Sequence, residues 1–167
     1  TPIYARVTVK GKTTDWPFKK YASFAGHANS ADLVVLDVNP DFWSLSGVKA
    51  VSYNKPPKVG KPVTVYTPDA SGRWTKSTGY VEHKPTPFIM LHTASTKPGA
   101  SGSPIFSNGK VVGFHTRAVP GYNINAGPTS LALRCLVSDS PTLESAEPDD
   151  WAQRYVEDFG LYDDDDY

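Results

Sequence analysis

The chain has 167 residues, 39% of them hydrophobic, with 15 prolines, 13 glycines and a formal net charge of zero. This length suits one domain, or two half-domains around a shared site, and the composition favours short strands joined by turns over a helical bundle. Cys135 is the only cysteine, which excludes an internal disulfide, argues against a cysteine-based zinc site and fits a reducing compartment. No apolar run approaches the roughly 20 residues of a membrane span, and no signal peptide opens the chain. We therefore expect a soluble chain, or one cut away from a membrane anchor.

The zero net charge hides two segments of opposite sign. From Glu144 onward there are ten acidic residues and one basic residue, whereas the first 143 residues hold seven acidic and sixteen basic ones. The body therefore carries a charge of +9 and the tail −9. Such asymmetry indicates an autoinhibiting tail, a separate module with its own partner, or a solvated acidic extension.

Strand candidates follow one another at short intervals along the body. They comprise residues 4–9, 33–38, 63–67, 80–82, 88–91, 104–106, 111–115 and 131–136. Turn-like residues separate them, and Ser107-Asn108-Gly109 is a strong hairpin signal. We find no helical periodicity before residue 148, so the pattern predicts an antiparallel all-β sandwich or barrel. Beyond it, residues 138–148 are linker-like and the segment from residue 149 begins as a short amphipathic helix.

The stretch "TASTKPGASGSPIF" (residues 93–106) contains a candidate nucleophile. A serine hydroxyl needs a general base, a group that orients this base, and donors for the oxyanion. Gly99 and Gly102 allow a tight turn that would point the N–H groups of Gly99 and Ser101 at one spot. The same residues also suit a simple glycine-rich hairpin.

A candidate orienting acid precedes the run "LVVL". Asp32 enters directly onto this apolar strand, 69 residues before Ser101. A carboxylate at the start of a buried strand can hold a histidine base in the correct tautomer. Alternatively, Asp32 only caps a turn.

The motif "TKPGASG" (residues 96–102) resembles the Thr-x-x-Gly-x-Ser-Gly motif of the chymotrypsin-like serine proteases of sobemoviruses and poleroviruses. The segment "DLVVLDV" is similar to the catalytic-aspartate strand of that family, and "WSLSGVKAV" and "GKVVGFHT" also resemble family sequence. The resemblance covers residues 1–137 and implies a chymotrypsin-like double β-barrel. It further implies that Ser101 is the nucleophile and that Asp32 orients the base.

The resemblance also implies a glutamate-binding S1 pocket. In these glutamate-preferring proteases, a threonine before the serine, a histidine in the following strand and an asparagine beyond it line the pocket. Thr96, His115 and Asn125 occupy the matching positions. A hydroxyl, an imidazole N–H and an amide N–H can together bind a carboxylate.

The general base is not evident in this sequence. The resemblance places the catalytic histidine some thirty residues before the aspartate, and therefore upstream of Thr1. His27 lies only five residues before Asp32, and His83 and His92 follow it, which breaks the His–Asp–Ser order. We therefore expect an N-terminal barrel that lacks its first strands, with His27 as the less favoured base.

The acidic tail resembles the start of the genome-linked protein VPg, which follows the protease in sobemovirus polyproteins. The likeness rests on "DDWAQRYVEDFGLYDDDDY" (residues 149–167). It implies a protease domain at residues 1–137, a linker at 138–148 and a VPg-like segment at 149–167, with Glu144-Ser145 as the best local cleavage site.

We therefore predict a serine endopeptidase that processes a viral polyprotein after glutamate. Its expected partners are the polyprotein or a peptide substrate, the VPg-like segment in cis and possible RNA, with membrane association only through a segment absent here. No metal or organic cofactor is implied, and the expected location is the host cell cytoplasm, membrane-associated within the full polyprotein. One alternative is an inactive protease-like module that binds peptide or RNA. Another, a cellular trypsin-like or HtrA-like peptidase, is disfavoured by the small size, the acidic extension and the pair Thr96 and His115.

Overall fold

The computed structural model describes residues 3–23 and 33–138, and it is mostly β-structure. Two antiparallel sheets are accompanied by two short helices. The strands are β1 (Ile3–Val9), β2 (Lys12–Ser23), β3 (Val34–Val38), β4 (Pro62–Pro68), β5 (Trp74–Thr86), β6 (Ile89–His92), β7 (Pro104–Ser107), β8 (Lys110–Phe114), β9 (Arg117–Ala118) and β10 (Asn125–Pro128). The helices are α1 (Asp41–Ser46) and α2 (Ser130–Ser138). The predicted all-β class is confirmed.

The first sheet has the order β1-β2-β3. A tight turn joins β1 to β2, and its two central residues, Lys10 and Gly11, both have positive φ, as a hairpin of this length requires. Helix α1 packs against this sheet through Phe42, whose ring meets that of Trp16 edge-on at a centroid distance of 5.6 Å. The aromatic contact fixes the helix onto one face of the sheet.

The second sheet holds seven strands in the order β8-β7-β4-β5-β6-β10-β9. Alternate residues of its strands point inward, because side chains along a strand alternate between the two faces. These inward side chains form one apolar cluster, made of Val63, Val65, Val81, Met90, Ala94, Ile105 and Val112. The cluster is the core on which the loops of the candidate site rest.

The second sheet curls until β8, at one edge, meets β10 near the other edge. Two irregularities in the pairing of β5 with β6 bend the long strand β5. At the closure, Gly113 bridges to Thr129, and Thr116 N–H donates to the carbonyl of Ala126 at 2.9 Å. A Cβ on Gly127 would lie 1.7 Å from the carbonyl oxygen of Phe114, so only glycine permits this approach. The closure brings the end of β8 beside β10 and, through β10, beside β6.

The predicted strand at residues 131–136 is wrong, since these residues lie in helix α2. The buried residues Leu131, Ala132, Cys135 and Leu136 are spaced one and four apart, which is a helical and not a strand period. The expectation of no helix before residue 148 is wrong for the same reason, and α1 also contradicts it. Within the described ranges, no helix is long and apolar enough to cross a membrane.

Candidate active site

The loop between β6 and β7 carries the candidate nucleophile. Ala100 N–H donates to the carbonyl of Lys97 at 3.0 Å, and Ser103 N–H donates to that of Ala100 at 3.0 Å. Gly99 and Gly102 have φ values of +93° and +91°, which residues with a side chain rarely adopt. The two glycines therefore allow a turn in which Ser101 is presented to solvent.

The residues that follow β8 hold this loop in place. Gly102 N–H donates to the carbonyl of His115 at 2.7 Å, and His115 N–H donates to that of Ser103 at 2.8 Å. The Ser101 hydroxyl donates to the carbonyl of Thr116. In this conformation the hydroxyl is bound to backbone, and no histidine among the described residues hydrogen-bonds it.

The N–H groups of Gly99 and Ser101 are the predicted oxyanion donors. Among residues 3–23 and 33–138, no carbonyl or side chain accepts a hydrogen bond from either group. An open cavity of about 430 Å³ borders Gly99 and is walled on its other side by Pro68 and Asp69. Within the described part of the chain both donors are unpaired, and their role at the oxyanion stays a prediction.

The predicted orienting acid, Asp32, lies outside the described residues, as does the alternative base His27. The strand expected after Asp32 is present as β3, which begins at Val34. It pairs with β2 in the first sheet. The predicted linker and VPg-like segment also lie beyond the described part, apart from residue 138 at the end of α2.

The three predicted S1 residues lie on segments that the closure of the second sheet brings together. Thr96 is half-buried on the loop before Ser101, His115 is buried directly after β8, and Asn125 opens β10. The Asn125 side-chain amide donates to the carbonyl of Ala94 at 2.8 Å. This bond anchors Asn125 to the loop. Because an amide nitrogen carries two hydrogens, one N–H of Asn125 is left over as a donor.

A fourth residue, His92, was missed as a site residue by the sequence reasoning. Its Nε2 lies 3.4 Å from His115 Nδ1, and the two rings meet edge-on with centroids 5.5 Å apart. His92 is completely buried, and it pairs in register with Asn125 across β6 and β10. The inward direction of His92 follows from Met90, because residues two apart on a strand share a face.

Burial keeps both imidazoles uncharged at neutral pH. Burial, followed by the charge of His115, lowers the pKa of His92 to about 4. Burial also lowers the pKa of His115. Each neutral ring carries one proton, so a hydrogen bond between the two facing nitrogens requires one ring to donate and the other to accept. In the described ranges, no group of three or more His, Cys, Asp or Glu side chains could hold a metal ion.

Comparison with known proteins gives the site its context. The sequence profile of the family Peptidase S39 matches residues 2–149. A candidate serine protease of Mushroom bacilliform virus (isolate Australia/AUS LF-1) is 35% identical over 132 residues, which is 79% of this chain and 19% of that protein. The chain thus spans about a fifth of this relative's length.

Two solved structures share the fold. The serine protease domain of the Sesbania mosaic virus polyprotein has a TM-score of 0.56 and 23% identity, over 74% of this chain and 66% of its own. A structure described as concerning aromatic interactions in the coupled folding and binding of the intrinsically disordered Sesbania mosaic virus VPg has a TM-score of 0.61 and 24% identity, over 74% of this chain and 63% of its own. The predicted chymotrypsin-like fold and the sobemovirus resemblance are confirmed.

Proposed function

Because the chain belongs to the peptidase S39 family, we propose that it is the serine protease segment of a viral polyprotein, with Ser101 as the nucleophile. The observation that carries this proposal is the turn at residues 97–103. It presents an exposed serine between two positive-φ glycines, next to two backbone N–H groups with no described acceptor. A simple hairpin needs no such pair of free donors beside a serine.

The reaction proceeds by acyl transfer. Ser101 Oγ attacks the scissile carbonyl and gives its proton to a histidine base, while the N–H groups of Gly99 and Ser101 donate to the oxyanion. The protonated base then gives its proton to the leaving amine, and water hydrolyses the acyl-enzyme. The bond from Ser101 Oγ to the Thr116 carbonyl must break before the hydroxyl can reach the base.

The base and its orienting acid complete this proposal. As the family resemblance implies, Asp32 orients the imidazole and the histidine belongs to the polyprotein segment that precedes Thr1. His27 is the alternative base. His92 and His115 do not compete as the base, because their rings are committed to each other.

Cleavage after glutamate is supported by the donors at the predicted S1 pocket. The Thr96 hydroxyl, a ring N–H of His115 and the spare amide hydrogen of Asn125 offer donors of three kinds to a carboxylate. The body of the chain carries a charge of +9, which also favours an acidic side chain over a basic one. An acidic side chain at P1 therefore matches the site in both hydrogen bonding and charge.

The acidic tail is proposed to be VPg-like and to contact the protease body in cis. Its charge of −9 is complementary to that of the body. The site of action we propose is the host cytoplasm, since the single cysteine suits a reducing compartment.

The test is hydrolysis of peptides that contain Glu-Thr or Glu-Ser, with matched Gln-Thr and Gln-Ser peptides as controls. The 167-residue chain, its Ser101→Ala variant and a version extended upstream into the polyprotein are compared. We expect cleavage after glutamate by the extended version and its loss in Ser101→Ala. Equal activity in the short version would assign the base to His27, whereas no cleavage in either would favour the inactive binding module.

A further inference from the structure

His92 is a fully buried polar residue that the mechanism above does not use. It has no exposed surface, and its Nε2 lies within reach of only a weak hydrogen bond, 3.4 Å from Nδ1 of the predicted S1 residue His115. A histidine sealed in an apolar core without a function would be expected to satisfy both ring nitrogens. In the described residues, no partner lies within hydrogen-bond distance of His92 Nδ1.

The unpaired Nδ1 of His92 decides which of the two rings donates the hydrogen bond between them. If His115 donated to His92, the neutral ring of His92 would carry its proton on Nδ1, as a buried N–H with no acceptor. If His92 donates from Nε2, its Nδ1 is a bare lone pair instead. An orphaned buried N–H is rarer in proteins than an acceptor left without a donor. The geometry therefore favours donation from His92 Nε2 to His115 Nδ1.

This direction fixes the tautomer of His115. With its Nδ1 accepting, neutral His115 must carry its proton on Nε2. The two ring nitrogens flank Cε1 and their bond directions diverge, so Nε2 does not point at His92. No hydrogen bond within the described ranges uses His115 Nε2. The result is a neutral imidazole with one N–H available to a ligand.

We propose that His92 is a positioning residue, which holds His115 with its Nε2–H toward the S1 pocket. This N–H donor makes the pocket select an anionic side chain, which accepts the hydrogen bond. This inference rests on the proposed cleavage after glutamate. His92 contacts no substrate and acts through His115. Asn125 supports the arrangement, because it pairs with His92 in the sheet while its side chain anchors the adjacent loop at Ala94.

The first measurement needs no catalysis. Long-range ¹H–¹⁵N correlation spectra of the 167-residue chain, which has four histidines, report the tautomer of each ring. We expect His115 as the Nε2–H tautomer in the wild type, and a mixture of tautomers in His92→Phe, which keeps ring volume but has no donor. His92→Gln can still donate from its amide and should restore the Nε2–H form. His83→Phe removes a half-buried histidine of the same sheet and should change nothing at His115.

The second measurement is the affinity for two product-like peptides that are identical except for a C-terminal Glu or Gln. Binding is monitored by the change of chemical shifts during titration. Loss of one charge-assisted hydrogen bond should weaken binding of the Glu peptide by about tenfold to a hundredfold in His92→Phe. The Gln peptide should change little, and His92→Gln should recover most of the loss.

The outcomes separate the two claims. If wild-type chain binds both peptides alike, the proposed glutamate preference is wrong, and the tautomer spectra still decide the role of His92. If wild type prefers Glu but His92→Phe binds it equally well with His115 unchanged, His92 only fills space and the inference is overturned. An Nδ1–H tautomer of His115 in the wild type also overturns it.

Discussion

Replacement of Gly99 by alanine tests the oxyanion turn, because the structure separates backbone strain from steric clash at this residue. Gly99 has φ +93°, and a Cβ built on it meets no atom within 4 Å. The substitution therefore costs only the strain of a side chain at positive φ, which is about 1 to 2 kcal/mol. If the loop relaxes to escape this strain, the Gly99 N–H turns away from the oxyanion. Loss of one such donor lowers kcat by roughly 10²- to 10³-fold.

Gly60→Ala is the matched control. Gly60 has φ +89° and also has no atom within 4 Å of a Cβ, so the strain is the same. It precedes β4, whereas the Gly99 loop borders the opposite end of that strand at Pro68, about 20 Å away for a strand of this length. Both variants should lose equal stability in urea unfolding, and only Gly99→Ala should lose kcat on a glutamate peptide. An equal loss of kcat in both, or full kcat in Gly99→Ala, would refute the assignment of the Gly99 N–H.

Three further predictions concern the sheet closure, the buried His92 and the predicted S1 residue Asn125. Gly127→Ala should unfold the second sheet or lower its melting temperature strongly, because a Cβ there overlaps the Phe114 carbonyl at 1.7 Å; a normal melting curve would contradict the closure. The folded-state pKa of His92, about 4, is below the usual 6.5. The contribution of neutral, buried His92 to the free energy of unfolding is therefore complete above pH 6.5 and is lost as the pH falls towards 4. The free energy of unfolding measured in urea should therefore fall over this pH range by on the order of 3 kcal/mol more in the wild type than in His92→Gln. Identical pH slopes in the two proteins would show that His92 is not held neutral by burial. Asn125→Ala removes the bond to the Ala94 carbonyl and should raise KM for a glutamate peptide more than it lowers kcat, whereas an unchanged KM would place Asn125 outside the pocket.

The local parts of this fold could be predicted because their signals are contained in neighbouring residues. The Ser107-Asn108-Gly109 signal predicted the β7–β8 hairpin, and Asn108 and Gly109 indeed have the positive φ values that its turn requires. Helix α2 was mistaken for a strand because a short apolar run fits both periods, and only its burial pattern distinguishes them. Strand β2 was missed because Pro17 and several polar residues interrupt it.

The arrangement of the site could be predicted only in part. The serine motif and the S1 residues follow from a local pattern and a family resemblance. The pairing of His92 with His115 depends on the closure of a seven-stranded sheet, which joins residues 23 positions apart. Gly127, which has no side chain where it approaches the Phe114 backbone, is a signal of that closure. This signal can be interpreted only once the strand order is known.

The most direct test of the central claim is covalent labelling of the nucleophile. A fluorophosphonate reacts with a serine hydroxyl that a neighbouring base has activated, and the modified residue is located by peptide mass spectrometry. In the upstream-extended chain, we predict one adduct, on Ser101, which a saturating glutamate peptide reduces. An adduct on a different serine, or none on Ser101 in a preparation that cleaves the peptide, would contradict the account.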